Sequence, residues 1–280
     1  MSALPRSSPD PGALVDLASG VAERAGDLLL QGLHRRRTLV ETKSTGTDMV
    51  SEMDRASEAL IVEALLAARP DDGIVGEEGT ADDGTSGVRW IVDPLDGTTN
   101  YLYNHPGWAV SIAAEIDSEV DTESEKGVIA GVVLDPVHGD LFTATLGGGA
   151  RRNGEPTACS GQREVAHALV ATGFGYQPAR RGAQAQVLVG LLPHIRDIRR
   201  MGAAAVDLCS VACGRVDAYF ERGLAWWDLA AGGLIASEAG AIVSSLDGGP
   251  VEPGSVLAGA PGIATPLRDR LSALGAGEGP

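Results

Sequence analysis

Three cysteines in 280 residues, Cys159, Cys209 and Cys213, offer no paired framework and no CxxC spacing, which excludes a disulfide-stapled scaffold. A reduced, cytoplasmic setting is the expectation. Cys209 and Cys213, four apart, read as small apolar residues on one helix face. Cations are also scarce: 22 Lys and Arg stand against 38 Asp and Glu, a net charge of −16. No broad surface for nucleic acid or an anionic membrane is therefore expected. The one basic cluster, His34-Arg35-Arg36-Arg37, reads as a solvated helix end. No apolar stretch approaches a membrane span, and Met1–Gly12 lacks the regions of a signal peptide. That start and the GAGEGP end read as disordered tails. GxSxG, a Walker loop, a Cys/His nucleophile pattern and an EF-hand loop are missing too.

A hydrophobic content of 44% suffices for a large core, in one big domain or two closely packed ones. Leu14, Leu17, Val21, Ala25, Leu28 and Leu29 predict an amphipathic helix over Ala13–His34. A second helix is expected over Asp54–Ala68, with Leu60, Ile61, Ala64, Leu65 and Ala68 inward and Pro70 ending it. Strands are expected at Gly73–Val75, Arg89–Asp93, Ala109–Glu115, Val128–Leu134 and Asp140–Thr145, a meander that implies antiparallel pairs. Asp117–Lys126 reads as a solvated hairpin tip and Asn153-Gly154 as a tight hairpin.

From Ala168 onward the pattern alternates as in an α/β unit. Strands are read at Ala168–Phe174, Arg196–Met201 and Asp217–Glu221, and helices at Gln184–Leu192, Ala204–Cys213, Asp228–Ala239 and Thr265–Leu274, with a hairpin at Asp247-Gly248-Gly249. The division is soft: an N-terminal α+β half over 12–150 carries most acidic motifs, and a C-terminal α/β half over 151–275 completes the chain.

The segment Arg89–Tyr101, RWIVDPLDGTTNY, ends an apolar run on Asp93 and sets Asp96 three residues later, ahead of Gly97, Thr98 and Thr99. Pro94 interrupts strand hydrogen bonding, and Gly97 lets the backbone approach a ligand closely. Carboxylates at a strand end suit hard cations such as Mg²⁺, and the amides at 97–99 suit a phosphate where a helix starts there. An acidic chain that handles an anionic substrate must reverse its local field, which divalent cations do most directly. Asp54, the turn Gly76-Glu77-Glu78-Gly79 and the pair Trp227-Asp228 add carboxylates at element ends. Each alone reads equally as a helix cap or a solvated charge. None of the five histidines falls in a metal-ligand spacing.

In order and spacing, GEEG at 76–79, WIVDPLDGTTNY at 90–101 and WDLAAGGLIASEAGA at 227–241 resemble the inositol monophosphatase family. These are Mg²⁺-dependent, lithium-sensitive sugar phosphatases, and the resemblance, to the bacterial inositol-1-monophosphatase type, covers nearly the whole chain. It implies a layered αβαβα sandwich of mixed α+β class, with mixed and antiparallel sheets. Glu77, Asp93 and the Leu95 carbonyl would hold one ion; Asp93, Asp96 and Asp228 would hold a second; a weaker third would share Glu77. Thr98 would orient the attacking water while Asp54 accepts from its hydroxyl, so that Asp54, Glu77 and Thr98 form the catalytic set. The Gly97 and Thr98 amides would meet phosphate oxygens, and Asp96, the Ala204 backbone and Glu221 would meet a polyol ring. Lys43 falls at the family's flexible-loop lysine and reads equally as a solvated side chain. The implied partners are a small sugar or polyol phosphate and a second copy of the chain in a homodimer, with no nucleic acid and no membrane.

Two departures bear on the substrate. Ala203 lacks a hydroxyl where the family's GSAA or GTAA segment has one, and the bulky Trp226 stands where relatives often carry a polar residue or proline. Both are expected to reshape the mouth of the pocket. The expected reaction is hydrolysis of inositol 1-phosphate or a similar polyol monophosphate, an ending of TTNY favouring inositol. Histidinol phosphate, fructose 1,6-bisphosphate and nucleotide 3′-phosphates are alternatives on the same scaffold. A regulatory protein-binding module linked to transcription is the alternative of another class.

Overall fold

Asp10 starts the first helix: its carboxylate accepts from the Gly12 N–H at 2.9 Å, and Pro11 takes the first helical position. This helix, α1 (Pro11–Gly32), begins ahead of Ala13 because the cap precedes the apolar period. The computed structural model describes residues 9–33, 40–42, 49–116 and 127–277. The basic run at 34–37, Lys43, the acidic stretch 117–126 and most of the N-terminal tail lie outside the described residues. Strands β1 (Val40–Thr42) and β2 (Met49–Ser51) pair antiparallel ahead of α2 (Glu52–Ala68). Helix α2 buries Ile61 and Leu65 as expected, but Ala68 is exposed. The inward places near its start go to Asp54, Ser57 and Glu58.

The large sheet comprises β3 (Gly73–Gly76), β4 (Ala81–Asp82), β5 (Val88–Asp96), β6 (Ala109–Ile116), β7 (Gly127–Asp135), β8 (Asp140–Thr145), β9 (Gly149–Arg152) and β10 (Glu155–Pro156). A short helix, α3 (Thr98–Leu102), lies between β5 and β6. The strand order is β10-β9-β8-β7-β6-β5-β3-β4, antiparallel throughout except for the parallel pair β3 and β5. The short edge strands β4 and β10, two residues each, are too brief to carry a period in sequence. Asn153 and Gly154, with φ of 51° and 81°, supply the left-handed pair that the β9–β10 turn requires.

The second sheet comprises β11 (Leu169–Thr172), β12 (Asp197–Arg199), β13 (Ala218–Arg222), β14 (Ile242–Ser244) and β15 (Ser255–Gly259), in the order β12-β11-β13-β15-β14. Its helices are α4 (Pro178–Leu191), α5 (Ala204–Ala212), α6 (Trp226–Glu238) and α7 (Ala264–Ala273). Helix α4 starts at Pro178 rather than Gln184, since the polar PARRGAQ turn has no apolar period to reveal it.

Alternation along the strands builds the layers. Trp90, Val92, Val110, Ile112 and Val132 face α1 and α2, whereas Ile91, Ala113 and Val133 face the opposite side, with Leu208 of α5 and Leu229 and Ile235 of α6. Tyr219, Val256 and Ala258 of the second sheet join that same inner core. Val170, Phe220 and Leu257 turn the other way, onto Val187 and Leu191 of α4 and Leu267 and Leu271 of α7. The succession is helices, sheet, helices, sheet, helices, the αβαβα sandwich. Among the described residues no helix is long and apolar enough to cross a membrane.

Candidate active site

Strand β5 does not stop at Asp93. It runs to Asp96, but the pairing slips: Asp93 faces Ser111 and Asp96 faces Ala109, leaving one extra residue on the β5 side. This bulge has a chemical consequence. Residues three apart on a regular strand point to opposite faces, and one inserted residue restores them to the same face. Pro94, which has no N–H to offer the ladder, sits inside the slip. Its carbonyl accepts from Ser57 Oγ at 2.9 Å, and the Leu95 N–H donates to Asp93 Oδ1 at 3.0 Å. Helix α2 thereby clamps the bulge.

Asp93, Asp96 and Asp228 form one cluster, each offering an oxygen within 4.8 Å of the others. Asp228 lies in the first turn of α6 and accepts from the Ala225 N–H at 2.6 Å. Asp96 reaches across to α5 and accepts from the Ala204 and Ala205 N–H groups at 3.2 and 2.7 Å. It caps that helix in place of Ala203, whose methyl cannot. The Ala204 amide is thus held by Asp96. Glu77 stands beside the cluster, its charge acting on Asp93 and Asp96. Its turn is held by Glu58, which accepts from the Glu78 N–H at 2.8 Å and from the Thr80 hydroxyl at 2.6 Å. A Cβ at Gly76 would overlap that carboxylate, so the close approach requires glycine. Sequence patterning missed Glu58, whose partners lie about twenty residues away.

Burial first, and then the neighbouring carboxylates, push Asp93 and Asp228 well above the usual range. Burial lifts Asp96 to about 7 although the α5 amides pull it down. Such a cluster is either protonated or neutralised by cations. Buried, convergent, oxygen-only donors fit a hard divalent ion, and Asp93, Asp96 and Asp228 with Glu77 beside them would hold it. Thr98 adjoins them, its Oγ1 lying 3.0 Å from Asp54 Oδ1 and 3.2 Å from the Leu95 carbonyl oxygen. One hydroxyl proton serves one acceptor at a time, and donation to Asp54 leaves a Thr98 lone pair facing the cavity. Gly97, with φ of 90°, could not carry a Cβ without crowding the Gly107 carbonyl at 3.0 Å and Ala203 Cβ at 3.1 Å.

These groups line a cavity of about 440 Å³, whose wall includes Glu77, Asp93, Asp96, Gly97, Thr98, Ala203, Ala204, Glu221 and Asp228. Asp54 and Leu95, fully buried, are not on that wall, and both lie within hydrogen-bond reach of Thr98 Oγ1. Glu221 lies over Gly173, where a Cβ would overlap it, and accepts from the Tyr219 hydroxyl at 2.7 Å. Burial raises its carboxyl to about 7 against the lowering effects of Tyr219 and Arg200.

Trp226 is a correction. Its indole N–H donates to Glu115 Oε2 at 2.8 Å, beside the Arg89–Glu115 ion pair, and it does not line the cavity. Because α6 already begins at Trp226, the two adjacent indoles point about 100° apart, and Trp227 lines the wall instead. Sequence reading also missed Phe174, Tyr176, Arg180 and Arg200, which border the same cavity. The Arg199-Arg200 pair just before Gly202 was the available signal for one of them.

The inositol monophosphatase family profile matches residues 11–273. The chain is 45% identical over 240 residues to the inositol-1-monophosphatase of Mycobacterium leprae, covering 81% of this chain and 79% of that protein. It is 37% identical over 262 residues to the Nus factor SuhB of Pasteurella multocida, covering 92% and 95%. The crystal structure of extragenic suppressor protein suhB from Bartonella henselae superposes with a TM-score of 0.86 at 36% identity, covering 92% of this chain and 98% of that one.

Proposed function

We propose, from the premise that the chain belongs to the inositol monophosphatase family and is a phosphatase, that it hydrolyses inositol 1-phosphate or a closely similar polyol monophosphate with Mg²⁺. The observation that carries this reading is the buried cluster of Asp93, Asp96 and Asp228, set beside the Thr98–Asp54 pair in one cavity. Bound Mg²⁺ supplies Lewis-acid polarisation of the phosphoryl group and a lowered pKa for water. The chain's own groups do the rest. Thr98, with its proton directed to Asp54, accepts from the attacking water and fixes its direction. The Gly97 and Thr98 amides meet phosphoryl oxygens as charge builds on them. Glu221 accepts from a ring hydroxyl and so holds the ester in place. We place the protein in the cytoplasm as a lithium-sensitive homodimer with two to three Mg²⁺ per site. Phosphate release from a panel of small phosphomonoesters tests the substrate: inositol 1-phosphate is expected first, and a rank well below histidinol phosphate overturns it.

Glu221 gives this reading a pH signature. Its carboxyl ionises near 7 rather than at 4.5, so it becomes a full acceptor only above neutrality, and KM is expected to fall as pH rises through 7. Glu221→Gln should raise KM about tenfold at pH 8, the loss of roughly 1.4 kcal/mol for a hydrogen bond to a charged acceptor. It should also flatten that pH limb relative to wild type, with kcat within about threefold. A mutant profile that keeps the wild-type slope removes Glu221 from substrate binding.

Trp226→Phe separates support from selection. Glu115 loses a donor, which costs about 1.5–3 kcal/mol, and melting should drop by several degrees. Ratios of kcat/KM across the ester panel should stay within about twofold of wild type. A changed substrate ranking with an unchanged melting curve would return Trp226 to the pocket.

The Nus factor name of the Pasteurella relative supports a second reading, a protein-binding role linked to transcription. Pull-down with Asp93→Asn beside wild type tests it: a specific partner retained by the inactive variant supports the role, and none captured by either opposes it.

A further inference from the structure

Asp93 and Asp96 share a strand, but Asp228 comes to them on α6, and chain connectivity does not set the distance between that helix and β5. Three buried carboxylates with oxygens within 4.8 Å of one another repel before any cation is bound. Asp228 also lies in the first turn of its helix, where backbone N–H groups lack intrahelical partners and the end frays most readily. Some other contact has to hold that turn against the sheet.

The residue two before Asp228 makes it. The Trp226 indole N–H donates to Glu115 Oε2 at 2.8 Å, and Arg89 holds the other oxygen, its Nε donating to Oε1 at 2.7 Å. Glu115 is buried, so its charge is matched where it stands. Arg89 and Glu115 are paired across β5 and β6, and further along the same two strands Asp93 is paired with Ser111. Ser111 Oγ lies 3.5 Å from the Trp227 carbonyl oxygen. The strand pair that carries Asp93 thus touches the first turn of α6 at two points. Asp228 follows Trp226 by about 200° around the helix. The turn is gripped on one side and offers its carboxylate on the other, where the Ala225 N–H fixes Oδ2 at 2.6 Å.

We propose that Arg89, Glu115 and Trp226 are positioning residues that fix Asp228 at the spacing from Asp93 that a divalent cation needs, and so set metal affinity from outside the cavity. The inference rests on the metal reading of the carboxylate cluster and deepens it. The bulky indole at 226 then serves the site although it does not line the wall. Groups that orient metal ligands from behind are commonly worth about 10- to 100-fold in affinity.

Mn²⁺ binding to the metal-free full chain, followed by the EPR signal of the free ion, tests this without substrate, since oxygen ligands that suit Mg²⁺ also suit Mn²⁺. Trp226→Phe should raise the dissociation constant about tenfold. Trp90→Phe is the matched control. Its indole donates to buried Asp72 at 3.0 Å, and Asp72 is also held by Arg69: the same three groups, with the indole on the face of the sheet turned to α1 and α2. That variant should lose comparable stability and keep the constant within about twofold of wild type. Glu115→Ala, which leaves α6 untouched, should weaken binding as Trp226→Phe does, and the double variant should be no more than about twofold weaker than either. Equal weakening in Trp226→Phe and Trp90→Phe overturns the proposal, as do an unshifted constant in a folded Trp226→Phe and losses that multiply in the double variant. If Trp226→Phe does not fold, Glu115→Ala against Trp90→Phe decides the matter. If the wild type binds Mn²⁺ and the Trp226 and Glu115 variants bind it equally well, only the positioning role fails; if the wild type binds none, the metal reading falls with it.

Discussion

Asp93→Asn is expected to lower Mg²⁺-dependent kcat at least about thousandfold, on the order of 4 kcal/mol of barrier, while the metal-free variant melts higher than the metal-free wild type. Both effects come from the same crowding. Asp93, Asp96 and Asp228 hold oxygens within 4.8 Å of one another in a buried place, and their pKa values are raised above the ordinary 3.8, that of Asp96 to about 7. The folded chain therefore keeps protons that the unfolded chain releases above pH 4. Unfolding then sheds protons, so the metal-free protein loses stability as pH climbs from about 4 through 7. Asparagine removes one of the repelling charges, and its amide oxygen still accepts from the Leu95 N–H. Mg²⁺ at a hundred times its dissociation constant adds about 2.7 kcal/mol to the wild type, roughly 5 °C for a chain of this size. The variant should gain almost none of it. Melting curves at pH 8 with and without Mg²⁺, beside phosphate-release rates, check both halves; a variant that melts lower without metal and keeps the Mg²⁺ shift contradicts the role given to the cluster.

Thr98→Val should cut kcat by about 10²- to 10⁴-fold, the usual range for a positioned proton acceptor, with KM within about threefold of wild type. Valine keeps the volume and loses the oxygen that lies 3.0 Å from Asp54. The buried Asp54 carboxylate loses one donor as well, at a cost of about 1–3 kcal/mol, so rates are compared well below either melting temperature. Thr98→Ser should recover most of the activity, because it restores the hydroxyl without the methyl. Serine as poor as valine would show that packing, and not the oxygen, is what Thr98 contributes.

Much of this architecture was readable from residue order. The apolar runs of β5, β6 and β7 marked them as buried strands of one meander, and the carboxylates ahead of Gly97 pointed to cations before any geometry was in hand. What escaped was register and direction. Pro94 looked like a stop, and only the pairing of Asp93 with Ser111 and Asp96 with Ala109 makes it the centre of a bulge. Ser57 and Glu58 were not among the inward residues expected of the second helix; they are buried because the Ser57 hydroxyl donates to the Pro94 carbonyl and the Glu58 carboxylate accepts from the turn at 76–80. Trp226 was assigned to the mouth because relatives often carry a polar residue or proline there, but α6 already begins at Trp226, and a step of about 100° per residue sends its indole away from the wall that Trp227 lines. Arg180 sits in a helical turn too polar to show any period. Lys43 and the acidic stretch 117–126 belong to segments outside the described residues.

Helix α5 draws its N-terminal support from Asp96, on a strand of another layer, at 3.2 and 2.7 Å from the Ala204 and Ala205 N–H groups. The residue at a helix start is ordinarily committed to Ser, Thr, Asp or Asn. Ala203 is free of that commitment, yet it stands on the cavity wall. A hydroxyl at 203 is therefore not needed to start the helix, whereas Asp96 serves that helix start and the carboxylate cluster at once, so no change at 96 can touch one without the other.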